Sequence, residues 1–230
     1  MPHIPGLFIT GTDTGVGKTY VAALIARALA ATGRRVGVYK PAASGCRYEN
    51  EKLVCDDAVR LWQAAGQHGE LDRVCPQRFT APLAPHLAAR EEGREIDAGL
   101  LRSGLGYWQK RSDVILVEGC GGLMSPVGED EYVASLAYHF GYPLIVVARN
   151  ALGTINATLQ TLIAAESFEE GLPVAGVVMN NLVGPSAADP SAGSNRAEIA
   201  ARCGPPLLAE VSFGGQQFDR EVDWFELAAS

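Results

Sequence analysis

An α/β fold with a mainly parallel sheet and helices on both faces follows from three features of the sequence. Short continuous apolar runs alternate with helix-period stretches, the pattern of strands covered on both faces by crossover helices. The first run feeds a glycine-rich turn and then an alanine-rich helix. The length, 230 residues, suits one such unit, and residues 1–230 are taken as a single domain.

The strands expected in order are Leu7–Thr10, Val36–Tyr39, Val114–Val117, Leu144–Val147, Val174–Met179 and Leu207–Val211. Helices are expected over 19–32, 56–66, 97–111, 131–140, 154–170, 195–203 and 217–228. Residues 67–96, with Pro76, Pro82 and Pro85, read as a long irregular excursion. The Gly/Pro/Ser/Ala-rich stretch 184–194 reads as a mobile surface loop.

A net charge of −7 speaks against general nucleic-acid binding, which needs a basic face. No apolar run approaches the roughly 20 residues of a membrane span. No basic stretch followed by an apolar core opens the sequence, so a cytoplasmic location is expected. The five cysteines lack Cys-x-x-Cys spacing and read as reduced thiols rather than a disulfide frame or zinc site.

In such sheets ligands bind beyond the carboxyl ends of the strands, and four of those ends carry chemistry. After Leu7–Thr10 comes Gly11-Thr12-Asp13-Thr14-Gly15-Val16-Gly17-Lys18-Thr19. Backbone N–H groups of such a turn and the positive end of the following helix cradle phosphate. Lys18 supplies a point charge to β- and γ-oxygens, and the Thr19 hydroxyl can hold Mg²⁺. The spacing departs from Gly-x-x-x-x-Gly-Lys-[Ser/Thr], because Thr12 stands where the first glycine belongs. The flanking strand and helix support the reading of a nucleoside triphosphate site.

After Val36–Tyr39 comes Lys40-Pro41-Ala42-Ala43-Ser44-Gly45. A second cation at this edge can stabilise a transferring phosphoryl group or an anionic acceptor. After Val114–Val117 comes Glu118-Gly119-Cys120-Gly121-Gly122; a strand-end carboxylate there can ligate Mg²⁺. After Val174–Met179 come Asn180 and Asn181. Asp56-Asp57 opens a helix, and either can cap it while the other coordinates. His86 reads as a packed loop histidine. Arg149, Gly153, Thr154 and Asn156 surround a helix start whose N–H groups suit a carboxylate or an ordinary cap.

Taken together, these segments resemble the dethiobiotin synthetase family of phosphate-loop NTPases. The matching pieces are 11–19, Tyr39-Lys-Pro-x-Ala-Ser-Gly45, Asp57-Ala58, Pro85-His86, Val117-Glu-Gly-x-Gly-Gly122, Leu152-Gly-x-Ile-Asn156 and Asn180. The resemblance implies ATP- and Mg²⁺-dependent ring closure on 7,8-diaminononanoate with CO₂, in a homodimer. It implies Lys40 and Lys18 as catalytic cations, and Thr19, Asp57 and Glu118 as the Mg²⁺ set. ATP would contact Gly15, Val16, Gly17, Lys18, Thr19, Tyr20, Asp57, Glu118, Gly119, Cys120, Gly121, Asn180 and Asn181, with Asn180 reading the adenine. The diamine would contact Thr14 and Ser44, with its carboxylate on Gly153 and Asn156 of the other subunit.

The sequence departs from the family pattern at Ala84, Ala157 and Ser212-Phe213, where well-studied members have serine, histidine and Pro-Trp. A partition-type nucleotide-switch ATPase is the competing reading. Those proteins usually carry a further lysine where Thr12-Asp13 stands.

Overall fold

The computed structural model describes residues 4–184, 187 and 189–230. Along the chain run β1 (Gly6–Gly11), α1 (Lys18–Ala31), β2 (Val36–Tyr39), β3 (Ala42–Ala43), β4 (Arg47–Glu49), β5 (Lys52–Val54), α2 (Asp56–Ala64), α3 (Leu71–Val74), β6 (Gln77–Arg78) and α4 (Pro85–Glu91). There follow α5 (Ala98–Ser103), α6 (Leu105–Gln109), β7 (Val114–Glu118), α7 (Val133–Phe140), β8 (Leu144–Arg149), α8 (Thr154–Ser167), β9 (Val174–Asn180), α9 (Ala192–Arg202), β10 (Leu207–Val211) and α10 (Trp224–Ala229).

All six expected apolar runs enter one parallel sheet of order β10-β9-β8-β1-β7-β2. Every residue of β1, β2 and β7 is buried, because helices cover both faces and leave no polar side for alternation. β1 lies between β7 and β8, so its phosphate-loop turn emerges near the centre of the sheet's carboxyl edge.

Three expectations change. The helix over 97–111 divides into α5 and α6 at Gly104. There the Tyr39 hydroxyl donates to Leu100 O and Leu101 O, both at 2.9 Å. A Cβ on Gly104 would fall 2.4 Å from that hydroxyl, so this approach requires glycine. The excursion 67–96 is more ordered than its prolines suggest: it holds α3, β6 and α4, with Pro85 at the first turn of α4, where its missing N–H costs nothing. The last helix covers only Trp224–Ala229, capped by Asp223, whose carboxylate accepts from Phe225 N and Glu226 N.

Two small strand pairs were not anticipated: β3 with β6, and the β4–β5 hairpin. The first seats the segment after Lys40 against the excursion. The loop expected over 184–194 falls partly on residues 185, 186 and 188, which lie outside the described residues, and its last part already belongs to α9.

Candidate active site

Gly15 and Gly17 take left-handed backbone angles (φ 74° and 88°), which residues with a Cβ adopt at a cost. They turn the chain so that α1 starts at Lys18. No acidic residue sits in the first turn of α1, so its positive end is not neutralised from within the helix. The loop is also braced from a distance. Asn180 at the end of β9 donates its amide to Val16 O at 3.0 Å, and a Cβ on Gly17 would lie 2.1 Å from that nitrogen.

Beside the loop, β2 and β7 deliver Lys40 and Glu118, which are 4% and 2% exposed. The Lys40 ammonium donates to Glu118 Oε1 at 2.5 Å and lies 3.0 Å from Asp57 Oδ2, on the first turn of α2. Burial opposes the charge on Lys40, but Glu118 and Asp57 outweigh it and hold the ammonium well above the ordinary lysine range. Glu118 Oε1 also accepts from the Thr19 hydroxyl at 2.7 Å. Its other oxygen, Oε2, is buried without a hydrogen-bond partner. Lys18 folds onto Asp13 O at 3.1 Å. Burial pulls its ammonium below the ordinary value, with Glu118 pulling back and Lys40 repelling.

These groups line one cavity of about 380 Å³, together with Thr14, Gly15, Gly17, Tyr20, Ser44, Cys120 and Gly121. Arg60 and Ala43 complete it and were not singled out from the sequence. Arg60 stands three residues after Asp57 on α2, a spacing that places both on one helix face. A larger groove, about 820 Å³ between α1 and the C-terminal segment, includes no residue of the phosphate loop and none of the charged strand ends.

The remaining expected residues stand elsewhere. Val16 is fully buried. Gly119 packs against Val133 and Phe8, leaving no room for a Cβ. The Asn181 side chain is engaged at the other half of the edge, donating to Glu210 Oε1 (2.8 Å) and Val211 O (2.9 Å) and accepting from Asn150 (3.0 Å). Asn195 donates to Asn150 Oδ1 at 3.0 Å, and Arg196 bridges Glu210 and Asp219 at 2.9 and 2.7 Å. Gly153 and Asn156 are exposed at the start of α8, outside the cavity. His86 lies in a separate cavity with Arg102 and Glu131, its Nδ1 buried and unpartnered.

Proteins similar to this chain in sequence carry a consistent name. A protein of Rhodopirellula baltica named ATP-dependent dethiobiotin synthetase BioD is 40% identical over 215 residues, spanning 89% of this chain and 82% of its own. Proteins of the same name from Anaeromyxobacter dehalogenans and Bacillus subtilis are 46% and 36% identical, over 85% and 88% of this chain and 84% and 85% of theirs. This chain belongs to the ATP-dependent dethiobiotin synthetase family. A family model described as an AAA domain matches residues 5–216.

Among solved structures, a ParA family ATPase from Chlorobium tepidum superposes with a TM-score of 0.56 at 16% identity, over 91% of this chain and 84% of that one. The septum site-determining protein MinD of Pyrococcus horikoshii, solved with Mg-ADP, gives 0.52 at 16% identity, over 91% and 81%. At that identity the likeness concerns the fold alone. This chain thus shares its fold with that ParA family ATPase and with that MinD protein. Among the described residues, no helix is long and apolar enough to cross a membrane.

Proposed function

We propose that this protein closes the ureido ring of dethiobiotin from 7,8-diaminononanoate, CO₂ and ATP, releasing ADP and phosphate. One amine captures CO₂ as a carbamate. A carbamate oxygen attacks the γ-phosphorus, and ADP leaves. The second amine attacks the carbonyl of the resulting carbamic-phosphoric anhydride and expels phosphate. Carbamate and triphosphate are both anions, so the barrier lies largely in bringing them together, and positioning plus charge neutralisation is the main demand on the protein.

The observation that carries this reading is the convergence of Lys18 and Lys40 on one cavity beside a helix start that has no acid of its own in its first turn. Lys18, the loop N–H groups and α1 would hold the β- and γ-phosphates. Lys40 would neutralise the carbamate as it meets the γ-phosphoryl group, held in place by Glu118 and Asp57. Ser44 and Thr14, on the cavity wall, would orient the diamine.

Thr19, Asp57 and Glu118 would hold Mg²⁺. The orphaned Glu118 Oε2 and the Thr19 hydroxyl beside Oε1 form the hard-oxygen set that this ion takes. Among the described residues no group of three or more His, Cys, Asp or Glu side chains is arranged to hold a metal; phosphate and water oxygens would complete the shell. When bound, the ion supplies neutralisation of phosphate charge.

A homodimer would complete the substrate site. The start of α8 has Gly153 in the left-handed region, no side-chain cap and no acid in its first turn, so it suits a carboxylate. It stands outside the cavity of its own chain, and Leu152 beside it and Ile163 on the third turn of α8 are 73% and 61% exposed. A second copy packed against α8 would bring the helix start to its neighbour's diamine.

A coupled assay of phosphate release and dethiobiotin formation, with diaminononanoate and bicarbonate, tests the reading. Product in step with phosphate, lost when Mg²⁺ is chelated, is expected. Hydrolysis of ATP indifferent to the diamine would overturn it.

A further inference from the structure

Three of the five cysteines, Cys46, Cys55 and Cys75, gather behind Lys40 and have no part in the chemistry above. Cys46 Sγ donates to Ala43 O at 3.7 Å and Cys75 Sγ to Gln77 O at 3.5 Å, with Cys55 close to both thiols. Cys46 and Cys55 flank the β4–β5 hairpin, whose register pairs Arg47 with Val54, Tyr48 with Leu53 and Glu49 with Lys52. Extending that register by one residue sets Cys46 opposite Cys55. The turn is Asn50-Glu51, both left-handed (φ 47° and 64°), as in a two-residue type I′ hairpin.

In such a hairpin the residues flanking the turn form a hydrogen-bonded pair, and the pairs alternate outward. Cys46 and Cys55 therefore occupy a non-hydrogen-bonded position. The Cys46 N–H agrees, turning away from Cys55 to Phe79 O at 2.9 Å. At that position facing Cα atoms lie about 4.5 Å apart with side chains close. This is inside the roughly 4.4–6.8 Å window of a disulfide. The two thiols keep slight exposure, 7% and 5%, whereas Cys75 has none.

We propose that Cys46 and Cys55 form a reversible thiol-oxidation site, closed by a hydroperoxide into a cross-strand disulfide at the mouth of the hairpin. One sulfur attacks a peroxide oxygen; the O–O bond breaks, giving a sulfenic acid and, with hydrogen peroxide, water. The second sulfur displaces the sulfenic hydroxyl, which leaves with its proton as another water, and the S–S bond forms. The thiols are oxidised by two electrons, and the peroxide is reduced. The link would tie the segment that carries Ser44 to the helix start that carries Asp57.

The test is to treat the native full chain with hydrogen peroxide, block remaining thiols with an alkylating agent and map the peptides. The expected product is a Cys46–Cys55 link, cleaved by dithiothreitol, formed equally in Cys75→Ser and absent from Cys46→Ser. A native chain in which both thiols remain alkylatable, or in which Cys55 joins Cys75 instead, would overturn the proposal. Circular dichroism of each variant before oxidation verifies that the fold is intact. A parallel reaction in guanidinium, where the register is lost, should give mixed links.

Discussion

The two halves of the sheet's carboxyl edge use polar groups in opposite ways. On the β1–β7–β2 side, buried Lys40 and Glu118 join the half-exposed Asp57 and Thr19 in a cluster that is incomplete, since Glu118 Oε2 has no partner. On the β8–β9–β10 side, Asn150, Asn181, Asn195, Glu210 and Arg196 bond to one another. An unmatched buried acceptor costs about 1–3 kcal/mol, a cost that a ligand completing the set would relieve. A network satisfied internally needs no ligand and fixes the backbone instead. One half leaves a buried carboxylate oxygen open beside two lysines; the other closes its asparagines and its Arg196 ion pairs on one another.

The sharpest test of that contrast is Lys40→Ala. Turnover should fall about 10²–10³-fold, the size of a lost transition-state charge contact. ATP affinity, measured by calorimetric titration, should move only a few-fold. Since removing one partner of a buried ion pair can itself cost about 3–5 kcal/mol, the variant's denaturant midpoint belongs beside its kinetics. Wild-type turnover would break the division. Asn150→Ala, on the other side, should lose about 1–3 kcal/mol of stability in a urea titration, with turnover within about twofold of the parent at temperatures where it is folded. A large kinetic loss there would move the network into the chemistry.

Glu118→Gln keeps the side-chain volume and removes one charge from the open set. The Mg²⁺ concentration for half-maximal activity should rise about tenfold, equivalent to ~1.4 kcal/mol of lost binding. An unchanged Mg²⁺ requirement would remove Glu118 from the proposed metal set. The smallest effect belongs to Arg60→Ala. Its exposed cation is screened by water, so the KM for ATP should rise by no more than about fivefold, within ~1 kcal/mol.

Much of the candidate site was legible in the sequence. Its strands are buried on both faces and read as unbroken apolar runs, with Lys40 and Glu118 at their ends and Lys18 closing the glycine turn after β1. Arg60 was legible in principle from its spacing to Asp57. The network on the β8–β9–β10 side was not: Asn150 meets Asn195 and Glu210 across 45 and 60 positions, and no local pattern encodes such a meeting. The break at Gly104 was hidden for the same reason, since its cause is a hydroxyl on β2. The β4–β5 hairpin escaped because its strands are largely exposed and its turn is Asn-Glu, without the glycine that usually signals one.

The amide of Asn180 on the Val16 carbonyl has a consequence for engineering. The stretch 11–19 is not a portable cassette. Transplanted into a host scaffold without its distant brace, it would keep its glycines yet lose the clamp on its apex. A recombinant chimera would therefore need both donors, the early turn and the late asparagine, to inherit a working nucleotide grip.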